Sequence, residues 1–204
     1  MSETSPWWVR ANSHLLELAV GLGLLLVGLF KVLFPILGVV GAPSATTDTR
    51  TVGIDTAASM PDVTAAGPVT LRGTSQAELV FHDPGFGDRL LLILPGLVSA
   101  VLLIVILEVL IRLTRTFHSA DFFAPQNSRR LLVISGAILL IATLPPALDV
   151  LTTNLLLDGT PLQRAVHTAY SINTVALFGA LLTAAAATAF RQGTRLREDT
   201  EGLV

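Results

Sequence analysis

The sequence predicts an all-α membrane protein: a four-transmembrane-helix bundle, N-in/C-in, with a small β-rich extracytoplasmic domain between helices 1 and 2. Three observations predict it. The 204 residues are 51% hydrophobic and only 14% charged, with mean hydropathy +0.68, whereas soluble domains carry roughly a quarter charged residues. The apolar residues gather into four runs, each near the ~20 residues needed to cross ~30 Å of hydrocarbon. The arginines cluster on alternate loops. Net charge is −2, so no basic field favours direct binding of nucleic acid. Cysteine is absent, which excludes disulfides, thiol catalysis and thiolate metal sites.

The chain divides into nine segments. Residues 1–14 form the N-terminus, with Trp7 and Trp8 as interfacial anchors before the first span at 15–40. That span is longer than a signal-peptide core, so it is expected to be retained as a helix. Residues 41–89 form the outer cap. Spans follow at 90–111 and 131–150, joined by an inner loop at 112–130. A short outer loop at 151–165 leads to the fourth span at 166–190, and residues 191–204 form the tail.

Orientation follows from basic residues in the short loops. With the N-terminus inside, the inner segments hold Arg10, Arg112, Arg115, Arg129, Arg130, Arg191, Arg195 and Arg197. The outer segments hold only Arg50, Arg72, Arg89 and Arg164. This places loop 112–130 and the tail in the cytosol, on the inner side of a cell membrane. The lipid bilayer is then the protein's first partner.

The cap reads as strands. TTDTRTVGIDTAAS, PVTLRG and AELVFHD are short, β-branched stretches separated by turn residues, so three strands are expected. Its acids do not have the spacing of a calcium loop.

Ionisable groups in or near the spans are candidates for function. Glu108 and Arg112 are four apart, in the favourable order for a pair on one helix face. Glu17 lies near enough to join the same inner network. Lys31 sits in the outer half of the first span and either snorkels to the headgroups or pairs with Asp149. The middle of the bundle offers only hydroxyls, too few for a proton relay. Pro35, Pro95, Pro145 and Pro146 either end helices or splay them into an outward cavity. Gly21, Gly28, Gly136, Gly179, Ala180, Ala184 and Ala187 are expected to let backbones approach closely. The alanine-rich fourth span lies at the bundle centre or at a partner interface.

No residue pattern points to catalysis. HExxH, the phosphate-binding glycine loop and GxSxG are all missing. None of His14, His82, His118 and His167 falls mid-span, so no haem, metal or other cofactor is expected.

Two inner segments carry a resemblance. FFAPQNSRRLLVIS has an aromatic, a small residue and Pro, then Asn, with Leu opening the third span; FRQGTRLREDTEGLV has Phe, then Gly, Leu and an acidic pair before a terminal apolar dipeptide. With four spans and an outer domain after the first, the chain resembles the bacterial family catalogued as domain of unknown function 2975. Members are often encoded beside a small Cro-type helix-turn-helix regulator. The resemblance therefore implies a membrane component of a regulatory pair.

The residues suggest how such a component would be built. Phe122, Phe123 and Pro125 would pack on the tail around Phe190, Gly193 and Leu196. Asn127 would cap the third helix, with Ser128 as a competing cap. Glu198 and Asp199 would pair with Arg129 or Arg130, and Gly193 would let the tail turn or approach closely. This inner platform would either seal the bundle or dock a soluble partner. Three functions remain open: a sensor or regulatory protein, an accessory subunit of a larger membrane complex, and a small transporter or immunity factor. Oligomeric state is not legible.

Overall fold

The computed structural model describes residues 18–41, 48–54, 76–118, 125–160, 163 and 166–201. Within them lie four helices long and apolar enough to cross a membrane: α1 (Leu18–Val39), α2 (Phe86–His118), α3 (Pro125–Leu157) and α4 (Thr174–Glu201). A three-stranded sheet, order β2-β1-β3, is formed by β1 (Thr49–Ile54), β2 (Gln76–Val80) and β3 (Val166–His167). Of the stretches expected to be strands, the first and last form β1 and β2; residues of PVTLRG lie outside the described residues.

α2 and α3 each run 33 residues, or about 50 Å at ~1.5 Å per residue. They therefore exceed the ~30 Å apolar core of a bilayer. Their ends are set by local chemistry. At the start of α2, Asp88 Oδ2 accepts the Gly85 backbone N–H at 3.1 Å, half of a capping box. α3 opens on Pro125, whose missing N–H costs nothing in a first turn. It closes at Gly159, in the left-handed region at φ 74°. At the start of α4, Asn173 Oδ1 accepts the Ala176 N–H at 3.1 Å.

The prolines end no helix. Pro95 lies inside α2, and Pro145 and Pro146 inside α3. Proline cannot donate to the carbonyl four residues back, and its ring crowds that carbonyl. In α1 the turn before Pro35 widens into a π-helix, Gly28–Leu33, and the Phe34 N–H reaches back to Leu29 O. Phe30 and Phe34 stack beside it, with ring centroids 5.6 Å apart. In α3, Pro146 frees the carbonyl of Ala142, which accepts the Asn173 N–H at 3.4 Å. A freed backbone group is tolerated in an apolar span when a neighbour takes it up in this way.

The chain forms two compact units. Residues of Met1–Phe34, Gly96–Pro145 and Ile172–Val204 belong to one; residues of Pro35–Pro95 and Pro146–Ser171 belong to the other. Three of the borders fall at the helix prolines.

In the first unit, small residues make the core. Ala100, Ala137, Ala142, Ala180 and Ala187 are buried with Leu113 and Ile134. Ser135 Oγ donates to Ala180 O at 2.8 Å, a polar tie between α3 and α4. The glycines contribute less than their sequence positions suggest. A Cβ at Gly21, Gly28 or Gly136 would meet nothing within 4 Å, and one at Gly179 would only reach Ile138 at 4.0 Å. The buried small residues of this unit are alanines, which lose no side-chain entropy on burial. Nor is α4 enclosed: Val175, Phe178, Leu181 and Leu182 are exposed. The hydroxyls of Thr143, Thr183 and Thr194 donate to carbonyls four residues back on their own helices.

In the second unit, β1 is the central strand. It pairs antiparallel with β2, Arg50 opposite Leu79 and Val52 opposite Ala77. It also pairs antiparallel with β3, Gly53 opposite His167. Alternation puts Arg50 and Val52 on the buried face and leaves Thr49 and Thr51 exposed. The third strand of the described sheet comes from the α3–α4 connection. The span expected from Val166 begins as a strand, and helix resumes only at Thr174. Hydropathy over a long window does not register a two-residue strand.

The turn after α1 carries a strained position. Gly41 has φ 91°, donates to Gly38 O at 3.1 Å, and would bring a Cβ to 3.3 Å from Arg89 Nη1. Gly41→Ala is expected to cost about 1 kcal/mol, from the left-handed backbone alone. Equilibrium unfolding in mixed micelles measures it; a neutral result would mean this turn is not held in the folded protein.

Candidate functional site

Two polar clusters stand out against the apolar background, one in each unit. The first is the corner where α2 ends and α3 begins. Arg130 reaches from α3 to α2: its Nη1 donates to Arg112 O at 2.9 Å and to the Thr116 hydroxyl. The same nitrogen donates to Asn127 Oδ1 at 3.2 Å, and Nη2 reaches Gln126 Oε1 at 3.4 Å. Arg112 O lies six residues before the end of α2 and also accepts the Thr116 hydroxyl at 2.9 Å, so Arg130 adds a charged donor near a helix end, where cations are favoured. Asn127 is fully buried beneath it.

This geometry corrects the capping expectation. Pro125 is the first helical residue, so Asn127 lies two positions inside α3, and its carboxamide serves Arg130. The Ser128 hydroxyl donates to Pro125 O at 3.0 Å. Glu108 and Arg112 form the ion pair four residues apart. Both side chains are more than half exposed, so the pair contributes at most a few tenths of a kcal/mol.

Beside the corner, the start of α3 meets the far part of α4. Ser128, Arg129 and Leu132 from α3 and Arg191, Thr194 and Arg195 from α4 line an open groove of about 450 Å³, with Pro125 at its edge. No carboxylate among the described residues pairs with Arg129, Arg191 or Arg195. The expected pairing of Asp199 with Arg129 or Arg130 is not made among the described residues. The Glu198 side chain, Phe122 and Phe123 lie outside what the structure describes. Nor does the tail turn at Gly193, since α4 continues unbroken to Glu201. Phe190 is half-buried and Leu196 is exposed.

The second cluster holds the sheet. Arg50, on the inner face of β1, is buried. Its Nη1 donates to Thr152 Oγ1 at 2.8 Å, and its Nη2 lies 2.9 Å from Asp149 Oδ1. Burial pushes the guanidinium's pKa down, while the Asp149 carboxylate pulls it back up. Thr152 and Thr153, both fully buried, donate in turn to Leu148 O and Asp149 O. The carboxylate that the sequence offered to Lys31 is taken by Arg50. Lys31 itself is exposed in the π-helical turn of α1, with no polar partner among the described residues. Asp48 Oδ1 and Arg89 Nε are buried without a hydrogen-bond partner among the described residues. No group of three metal-ligating side chains occurs among those residues.

Four helices of membrane-spanning length, joined to a small sheet, define the class: a helical protein with the build of an integral membrane protein. Residues 51–204 match the model of a family described as protein of unknown function (DUF2975), and the chain belongs to that family. The match begins at Thr51 within β1 and takes in β2, β3, α2, α3 and α4. No curated protein and no solved structure is similar to the chain.

Proposed function

We propose that the protein is a non-enzymatic regulatory component of the bacterial cell membrane, N-in/C-in, whose cytoplasmic corner and tail dock a soluble partner. The partner proposed is a small helix-turn-helix DNA-binding regulator. One observation carries this reading. The start of α3 and the end of α4, which hold the two sequence segments typical of the family, come together around one groove. Arg130 supports it by tying the corner to α2 through its Nη1 contacts to Arg112 O and the Thr116 hydroxyl. A tied corner loses little entropy on binding, and such preorganisation favours affinity. The arginines at this end support the orientation by the positive-inside rule.

A photo-cross-linking amino acid at the exposed Gln126 tests the reading in cells. The expected product is an adduct with a soluble DNA-binding protein, lost when Arg130→Ala loosens the corner. The same probe at the exposed Leu182 of α4 distinguishes the accessory-subunit alternative, which predicts an adduct with another membrane protein there. No protein adduct at Gln126 in cells that express the neighbouring genes would refute the docking role.

A further inference from the structure

We infer that the groove between α3 and α4 binds the phosphodiester headgroup of an anionic phospholipid, held by Arg129, Arg191 and Arg195. The inference does not need a soluble partner; it needs only that α3 and α4 cross a bilayer.

Depth is the first argument. In α3 the apolar run starts at Leu131, directly after Arg129 and Arg130. In α4 it stops at Phe190, directly before Arg191. Both helices therefore change from apolar to basic at the groove, which sets it at the headgroup layer of a membrane they span. Charge is the second. Three guanidiniums line one groove, and no carboxylate pairs with them among the described residues. A guanidinium presents a planar fork that matches two phosphate oxygens at once. Shape and lining are the third. The groove is open, about 450 Å³, large enough for a headgroup. Exposed Leu132 offers an apolar wall toward the span. That combination suits a ligand charged at one end and oily at the other. Basic pockets between transmembrane helices are recurrent headgroup sites. Arg130 is not part of this set, because its guanidinium is committed to the corner. A lipid seated here would hold the α3 and α4 segments together while leaving the exposed Gln126 side of the corner open.

Native mass spectrometry of the full chain, exchanged from detergent into micelles doped with phosphatidylglycerol or phosphatidylcholine, tests this. Bound phosphatidylglycerol and little phosphatidylcholine are expected. Arg191→Gln alone should weaken retention roughly fivefold, and the triple change R129Q/R191Q/R195Q should abolish it. The charge-keeping triple R129K/R191K/R195K should retain a substantial part, which separates loss of charge from loss of fold. Equal retention of both lipids, or full retention by the glutamine triple, overturns the proposal. Displacement of the lipid by millimolar inorganic phosphate also overturns it, because the site would then be one for free anions. So does a photo-cross-linker at Thr194 that captures an acidic protein in place of lipid.

Discussion

Asp149→Ala is expected to destabilise the protein more than Arg50→Leu, although both delete the same ion pair. The Arg50 side chain is 7% exposed and that of Asp149 53%. Removing Asp149 leaves a buried guanidinium with Thr152 as its remaining polar partner. Orphaning a buried charge costs about 3–5 kcal/mol in dry surroundings. Here water already reaches the Asp149 side, so a loss of roughly 2–3 kcal/mol is expected. Removing Arg50 instead takes away the desolvated cation and returns Asp149 to water. Leucine also keeps apolar contact with its inward neighbours. That change should cost about 1 kcal/mol. Chemical unfolding in mixed micelles gives both numbers. Equal losses, or a larger loss for Arg50→Leu, would mean Arg50 is not buried on the inner face of β1.

The second large effect is expected at Arg130. Arg130→Ala removes the donors to Arg112 O and the Thr116 hydroxyl, and takes a donor from Asn127 where water does not reach. Hydrogen bonds from a charged group contribute about 1.5–3 kcal/mol each when their loss strands a partner. Arg112 O and Thr116 are near the surface and regain water, so a total near 2–3 kcal/mol is expected. Arg130→Lys should recover about half, since an ammonium replaces the Nη1 bonds but not the second arm to Gln126. The loss should appear as faster proteolysis of the segment between α2 and α3 as well as a lower unfolding midpoint. A change of less than about 0.5 kcal/mol on Arg130→Ala would mean the corner is not tied as described.

The helices were legible because membrane-spanning length is a property of composition over a long window. Their ends were less so, for identifiable reasons. Pro125 was read as part of a packing patch, yet proline opening a helix is itself a start signal. Recognising it moves Asn127 from a cap to a buried acceptor inside α3. Asn173 before Thr174 is a second start signal, masked because Val166 and its neighbours extend the apolar run. The prolines looked like breaks since soluble helices rarely hold them. In an apolar span the freed carbonyl of Ala142 finds another donor, and α3 continues. Arg50 was half legible. It stands two residues from Val52, so a two-residue period already puts both on one face. Its partner Asp149 is 99 positions away, and no local pattern joins them. Lys31 was the more obvious choice, being another cation at an outer helix end. The meeting of loop and tail was expected from the arginine count; the groove between them and its unneutralised arginines are three-dimensional facts.

The proposed function depends on the α2–α3 corner and the α4 tail sharing the cytosol. The chain has no cysteine, so single cysteines report position without background. Glu78→Cys on β2, Gln126→Cys at the corner and Gln192→Cys on α4 all replace exposed residues. A membrane-impermeant maleimide should label Glu78→Cys in intact cells, and the other two only after permeabilisation. Labelling of Gln126→Cys or Gln192→Cys in intact cells would contradict the account.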